Sequence, residues 1–253
     1  EVLGKDVDPL TAAAKAIDQL VKLGVMTRHA MDKSATRVGP MLLGQPMSVV
    51  IDVIHKLPHE HLMMHTDDGV HLLRHTDGKT NTVGYGTADM MRLMRTSNVT
   101  SVHNHPAGGG AFSGADIISA AKVDEIRGIA TQPDGGYWVI DTPNGWGDVS
   151  LGATLNQYGS IAAIPDILRQ DQRLFALEVR QASQNAANQA SVQIRKLHAK
   201  NAKEVLNRKD AQKAWRAFYS EAFVGVPDAD GTLRGGSLNK ILERRGIEHR
   251  LYR

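Results

Sequence analysis

Apolar residues recur every three or four positions over 9–24, where Leu10, Ala13, Ile17, Leu20 and Val21 share one side. That spacing predicts an amphipathic helix, closed by Gly24. Residues 25–45 carry a weaker helical or irregular pattern ending in Gly-Pro and Gly-Gln-Pro. The run 48–57 is apolar and β-branched, so a strand is favoured, with a short helix as the alternative, and Pro58 ends it. The period then falls to two. Glu60 to His65, Val70 to His75 and Thr80 to Tyr85 alternate, separated by Asp67-Asp68-Gly69 and Asp77-Gly78. Asp-Gly between alternating runs predicts hairpins, hence a β-meander. Thr87 caps a predicted helix over 88–95 with Met90, Met91, Leu93 and Met94 as its apolar side. Val99 to Val102 predict a buried strand that continues through His103 and His105 to Pro106. Glycines follow, and Ser113 then caps a predicted helix over 114–127 that turns Ile117, Ile118, Ala121, Val123 and Ile126 inward. Pro133 to Gly136 form a turn, Tyr137 to Ile140 a strand, and Asn144-Gly145 opens a loop to about residue 160.

Beyond Pro165 the chain becomes rich in Gln, Asn, Ala, Lys and Arg. Its helix propensity is high. It forms either one long helix to about Glu221 or two, broken at Asn207-Arg208-Lys209-Asp210. A turn-rich connector, 224–236, leads to a short helix over 237–245 and a final strand or tail over 247–253. The fold class expected is α/β (α+β), a mixed sheet flanked by helices. Three parts are expected: an N-terminal helical segment, 1–46; a compact mixed domain, 47–160; and a basic, helix-rich region, 161–253.

Composition narrows the chemistry. Apolar residues make up 42% of the chain, enough for a core. There is no cysteine, which excludes disulfides and thiolate metal sites and leaves His and carboxylates as ligands. No run of 18 apolar residues or charged-then-apolar signal segment is present, so the chain is expected in the cytoplasm or delivered into a target cell. It begins with Glu1 rather than Met, the mark expected of a processed or excised piece. The net charge is only +3, but Arg195, Lys196, Lys200, Lys203, Arg208, Lys209, Lys213 and Arg216 concentrate base within 195–216. Such a helix is a solvated face or a surface for nucleic acid or an acidic partner.

The candidate chemistry lies in 99–118. His103 and His105, at i and i+2, leave a strand on one face and can share a cation. The helix begun at Ser113 starts back toward the strand end, which makes Asp116 a third ligand. Two imidazoles and a carboxylate suit zinc with an open fourth position. Five of the eleven histidines, His59, His61, His65, His71 and His75, lie nearby in sequence. They read as a solvent-facing strand surface in preference to a second metal site.

His103-Asn104-His105-Pro106 with Ser113 and Asp116 resembles the JAMM motif of the JAB/MPN zinc metalloproteases, most closely the RadC-like and phage- or toxin-associated bacterial branches. The resemblance spans roughly 50–142. It implies a JAB/MPN-like sheet and a zinc peptidase or isopeptidase acting on a protein, with a ubiquitin-like tail among the candidate substrates. It also implies an upstream catalytic glutamate, for which Glu60 is placed as general base, and a hydrogen bond from Ser113 to the developing oxyanion. Deubiquitinating members usually carry Ser or Thr where this chain has Asn104, which points away from ubiquitin itself. Two other readings stand beside it: a metal-dependent nuclease or DNA-associated RadC-like protein, and a non-catalytic phage- or toxin-associated module.

Overall fold

A computed structural model of the chain describes residues 47–66, 71–75, 83, 86–106, 111–200 and 208–252. The expected helix over 9–24, the segment 25–45 and most of the strand over 80–85 lie outside these residues.

Six strands form one mixed sheet: β1 (Leu62–Thr66), β2 (His71–His75), β3 (Val99–Asn104), β4 (Arg127–Thr131), β5 (Tyr137–Asp141) and, last in the chain, β8 (Glu248–Tyr252). Their order across the sheet is β2-β1-β3-β4-β5-β8. β3 and β4 are parallel, while the other neighbours are antiparallel. A parallel pair needs a crossover. Here it is the motif helix, Gly114–Val123.

The helices are α1 (Met47–Ile54), α2 (Thr87–Leu93), α3 (Gly114–Val123), α4 (Leu151–Tyr158), α5 (Asp166–Lys200), α6 (Arg208–Phe223) and α7 (Ser237–Glu243). A two-stranded ribbon, β6 (Val226–Pro227) with β7 (Leu233–Arg234), lies between α6 and α7.

Successive strand residues face opposite ways, and the core divides accordingly. Met63, Val102, Ile129 and Val139 pack beneath Val50, Ile51 and Ile54 of α1. Ala130, Trp138, Ile140 and Leu251 join Phe112, Ile117 and Ile118 at the motif helix, with Phe175 and Val179 of α5 behind them. Leu62, Met64 and Val99 close one end of that layer with Leu93, Met94, Val123 and Leu155.

Four expectations are corrected. The run 48–57 is a helix over 47–54, because its buried residues fall at 50, 51 and 54, a spacing that seats one helix face on the sheet and overrides β propensity. The motif helix stops at Val123, not 127. Asp124 turns left-handed (φ 57°, ψ 45°) and accepts the Trp146 backbone N–H at 2.8 Å, and the chain reverses into β4. β4 itself was not expected, since Gly128 reads as a helix end. Lastly, the stretch expected as loop, 144–160, contains a 3₁₀ turn (Gly147–Val149) and α4.

The C-terminal residues share this core. α5 and α6 form an antiparallel hairpin, tied by Ser183 Oγ to Tyr219 Oη (2.8 Å) and by the Trp215 indole N–H donating to Ser191 Oγ (3.1 Å). The final segment is a strand, and it pairs along the whole of β5. The basic run 195–216 spans the connection of this hairpin, of which residues 201–207 lie outside those described. Among the described residues no helix is long and apolar enough to cross a membrane.

Candidate metal centre

His103 is the penultimate residue of β3, and His105 follows the strand end. Their ring centroids lie 4.8 Å apart and their Nε2 atoms 3.1 Å apart. Two nitrogens held tetrahedrally at zinc are separated by about 3.3 Å. Glu60 joins them: one ligand atom from each of Glu60, His103 and His105 lies within 4.8 Å of the other two. Glu60 and His103 are buried, 5% and 4% exposed, whereas His105 is half-buried. Burial lowers the His103 pKa to about 4, opposed by the nearby Asp116 carboxylate, so the ring is neutral at pH 7 and has a lone pair for a cation.

Asp116 stands beside this group. Its Oδ2 is 3.7 Å from His103 Nε2 and also accepts the Ser113 backbone N–H at 2.6 Å. Ser113 Oγ in turn accepts the Asp116 N–H at 3.3 Å. This reciprocal capping box fixes the start of α3. Accepting that bond leaves the Ser113 hydroxyl proton available to donate. The helix can approach closely because Gly114 has no side chain: a Cβ there would meet Ser183 Cβ of α5 at 3.0 Å.

Glu60 was expected at the start of a strand running from 60 to 65. It instead precedes β1, in an irregular segment joined to β3 where the His61 carbonyl accepts the Asn104 backbone N–H at 3.3 Å. The Asn104 side chain adds to that hold. Its side-chain carbonyl accepts the His61 N–H at 2.7 Å, and its amide donates to the carbonyls of Leu57 (3.2 Å) and His59 (3.0 Å). The side chain between the two histidines thus clamps the backbone on both sides of Glu60. Sequence reasoning weighed Asn104 only as a departure from a family pattern. The available signal was strand alternation, which puts Asn104 on the face opposite His103; that it is fully buried there only the structure shows.

The histidine-rich stretch is corrected in part. His61 is buried, 1% exposed, rather than solvent-facing, because it abuts the Asn104 clamp. The side chains of His65, His71 and His75 lie outside the described set.

The Glu60, His103 and His105 group could hold a metal ion: neutral imidazole, carboxylates close by, and neighbouring groups that fix their orientation. Phe112 covers His103 edge-on, with centroids 5.6 Å apart, and shields it from water. Comparison with family models, curated proteins and solved structures finds no match to this chain.

Proposed function

We propose that the protein is a zinc-dependent hydrolase that cleaves an amide bond in a protein substrate. The observation that carries this reading is the convergence of the Glu60 carboxylate with the His103 and His105 imidazoles within 4.8 Å. His103, His105 and Asp116 would hold the ion. Zinc, when bound, would polarise the scissile carbonyl and lower the pKa of a coordinated water to about 7.

Glu60 is the base. Its carboxylate takes a proton from the attacking water and returns it to the leaving amine. The Asn104 clamp keeps that carboxylate aimed at the reacting atoms, which is where orientation counts most. Ser113 donates its hydroxyl proton toward the developing oxyanion. Phe112 keeps the His103 side of the site dry, and electrostatic interactions strengthen in such surroundings.

Elemental analysis of freshly purified chain tests the metal. About one zinc per chain is expected, lost in His103→Ala, His105→Ala and Asp116→Ala. Zinc-free protein, or zinc retained in all three variants, would overturn the assignment. Cleavage of a mixed protein or peptide substrate, abolished by chelation and restored by zinc, tests the reaction.

A further inference from the structure

A cavity of about 160 Å³ opens beside the metal centre, between α3 and the sheet. His103 and the part-exposed Asp116 line it on the metal-centre side. Leu62, Met64, Ile117 and Trp146 are among its apolar walls. Its far end is polar. Ser101 lies two residues before His103 on the same strand face, so its row is about 7 Å away along β3. The Ser101 hydroxyl donates to Glu125 Oε1 at 2.6 Å, and the Glu125 side chain is buried.

Space for that carboxyl is built in. Gly128 pairs with Ser101 across the β3–β4 ladder, and a Cβ on it would fall 2.7 Å from Glu125 Oε1. The site proposed above leaves both Ser101 and Glu125 unused.

We propose that this cavity is a substrate side-chain pocket, and that the side chain it takes is lysine. The inference rests on the hydrolase reading for the word substrate, but not for the binding. The size is right: a cavity of about 150 Å³ accommodates one benzene molecule, comparable to a single long side chain. The length is right, since about 7 Å of strand separates the metal row from the acid row and an extended lysine spans a similar distance. The polarity is right as well. A four-carbon stem buries against apolar walls while its ammonium seeks acceptors.

Acceptors wait at the end in Glu125 and Ser101, with a further carboxylate, Asp116, on the metal-centre side. Among the described residues, no lysine or arginine lines the cavity. Burial, with Asp116 adding to it, pushes the Glu125 carboxyl up to about 8, as expected where no cation balances the acid. Leucine or methionine would fill the walls and leave that acid unanswered.

Two measurements test the pocket. In the first, n-butylammonium and its uncharged analogue n-butanol are titrated into the chain, and the amide signals of Ile117 and Ala120 are followed by NMR. At pH 9, where the Glu125 carboxyl is ionised and butylammonium still charged, butylammonium is expected to bind roughly tenfold or more tighter, the margin of a charge-assisted contact. Glu125→Gln should erase that margin, and Ala120→Leu, which fills the cavity, should abolish binding of both probes. Equal or tighter binding of n-butanol by the parent chain overturns the proposal without reference to any variant.

The second measurement compares kcat/KM for peptides with lysine, norleucine or leucine beside the scissile amide. Lysine should lead, and Glu125→Gln should remove its lead. Glu125-dependent butylammonium binding with no peptide cleaved would support the pocket and sink the hydrolase. Cleavage indifferent to lysine, with no butylammonium bound, would sink the pocket and leave the hydrolase.

Discussion

At the scale of single residues, the proposed hydrolase would separate ligation, proton transfer and positioning. Glu60→Gln keeps size and shape but cannot accept a proton. It should keep zinc and fold while losing hydrolysis by on the order of 10² to 10⁴-fold; paired zinc and rate measurements check this. Loss of zinc instead would make Glu60 a ligand. Asn104→Ala removes the clamp and not the metal, so kcat should fall with zinc content unchanged, and Asn104→Gln should fail to rescue because its amide sits one methylene further out. His249 gives a different prediction. It lies in β8 between Phe112 and Trp138, with both ring nitrogens buried and without hydrogen-bond partners among the described residues. Burial depresses its pKa from 6.5 to about 3. Below pH 6.5 the unfolded chain takes a proton that the folded chain refuses, so stability falls as the pH drops from about 6.5 toward 3. His249→Leu removes this slope. Relative to the parent, it should gain about 2 kcal/mol more at pH 5 than at pH 7.5 in urea unfolding. A parallel pair of stability curves would refute the burial argument.

At the scale of elements, α3 does two jobs at one end. Its capping box satisfies the first turn and holds Asp116 beside His103. Ser113→Ala should cost about 1 kcal/mol in denaturant unfolding. It should also weaken zinc binding, because the Asp116 carboxylate loses the fixed turn that aims it. A stability loss with zinc affinity unchanged would show that the Ser113 backbone bond alone suffices. The motif around His103 was legible in the sequence since strand alternation and helix capping are local rules, acting over two to four residues. The end of α3 was not. Asp124 adopts a left-handed turn because Trp146, far along the chain, is there to donate to its carboxylate.

At the scale of the whole molecule, the metal layer is completed from the C-terminal region. β8 brings His249 and Leu251 onto the face that carries His103, and α5 lays Phe175 and Val179 against the motif helix. A chain ending at residue 160 would expose the β5 edge and this apolar surface, the usual route to aggregation. It should show no cooperative unfolding transition by circular dichroism and no stoichiometric zinc. A truncated chain that melts cooperatively with its metal would refute this. The expectation of a compact domain over 47–160 followed a real change in composition. Composition records what a helix exposes to water, and α5 exposes mostly polar residues, interspersed with Ile167, Leu174, Leu177 and Val192, while its buried side is Phe175, Val179, Ala182, Ala186 and Ala190.

By itself, the sequence determined the mixed α/β class, the β1–β2 hairpin, the strand bearing the two histidines, the cap at Ser113 and the candidate ligands His103, His105 and Asp116. Each follows from periodicity or spacing between residues close in the chain. Tertiary structure alone decided that 47–54 is a helix, that β4 exists, that Glu60 is held by Asn104, and that Glu125 ends a cavity opening beside His103. These outcomes depend on partners tens of residues away. A β-branched run becomes helical when a sheet face receives it, and Gly128 joins a strand because Ser101, earlier in the chain on β3, is there to pair with it.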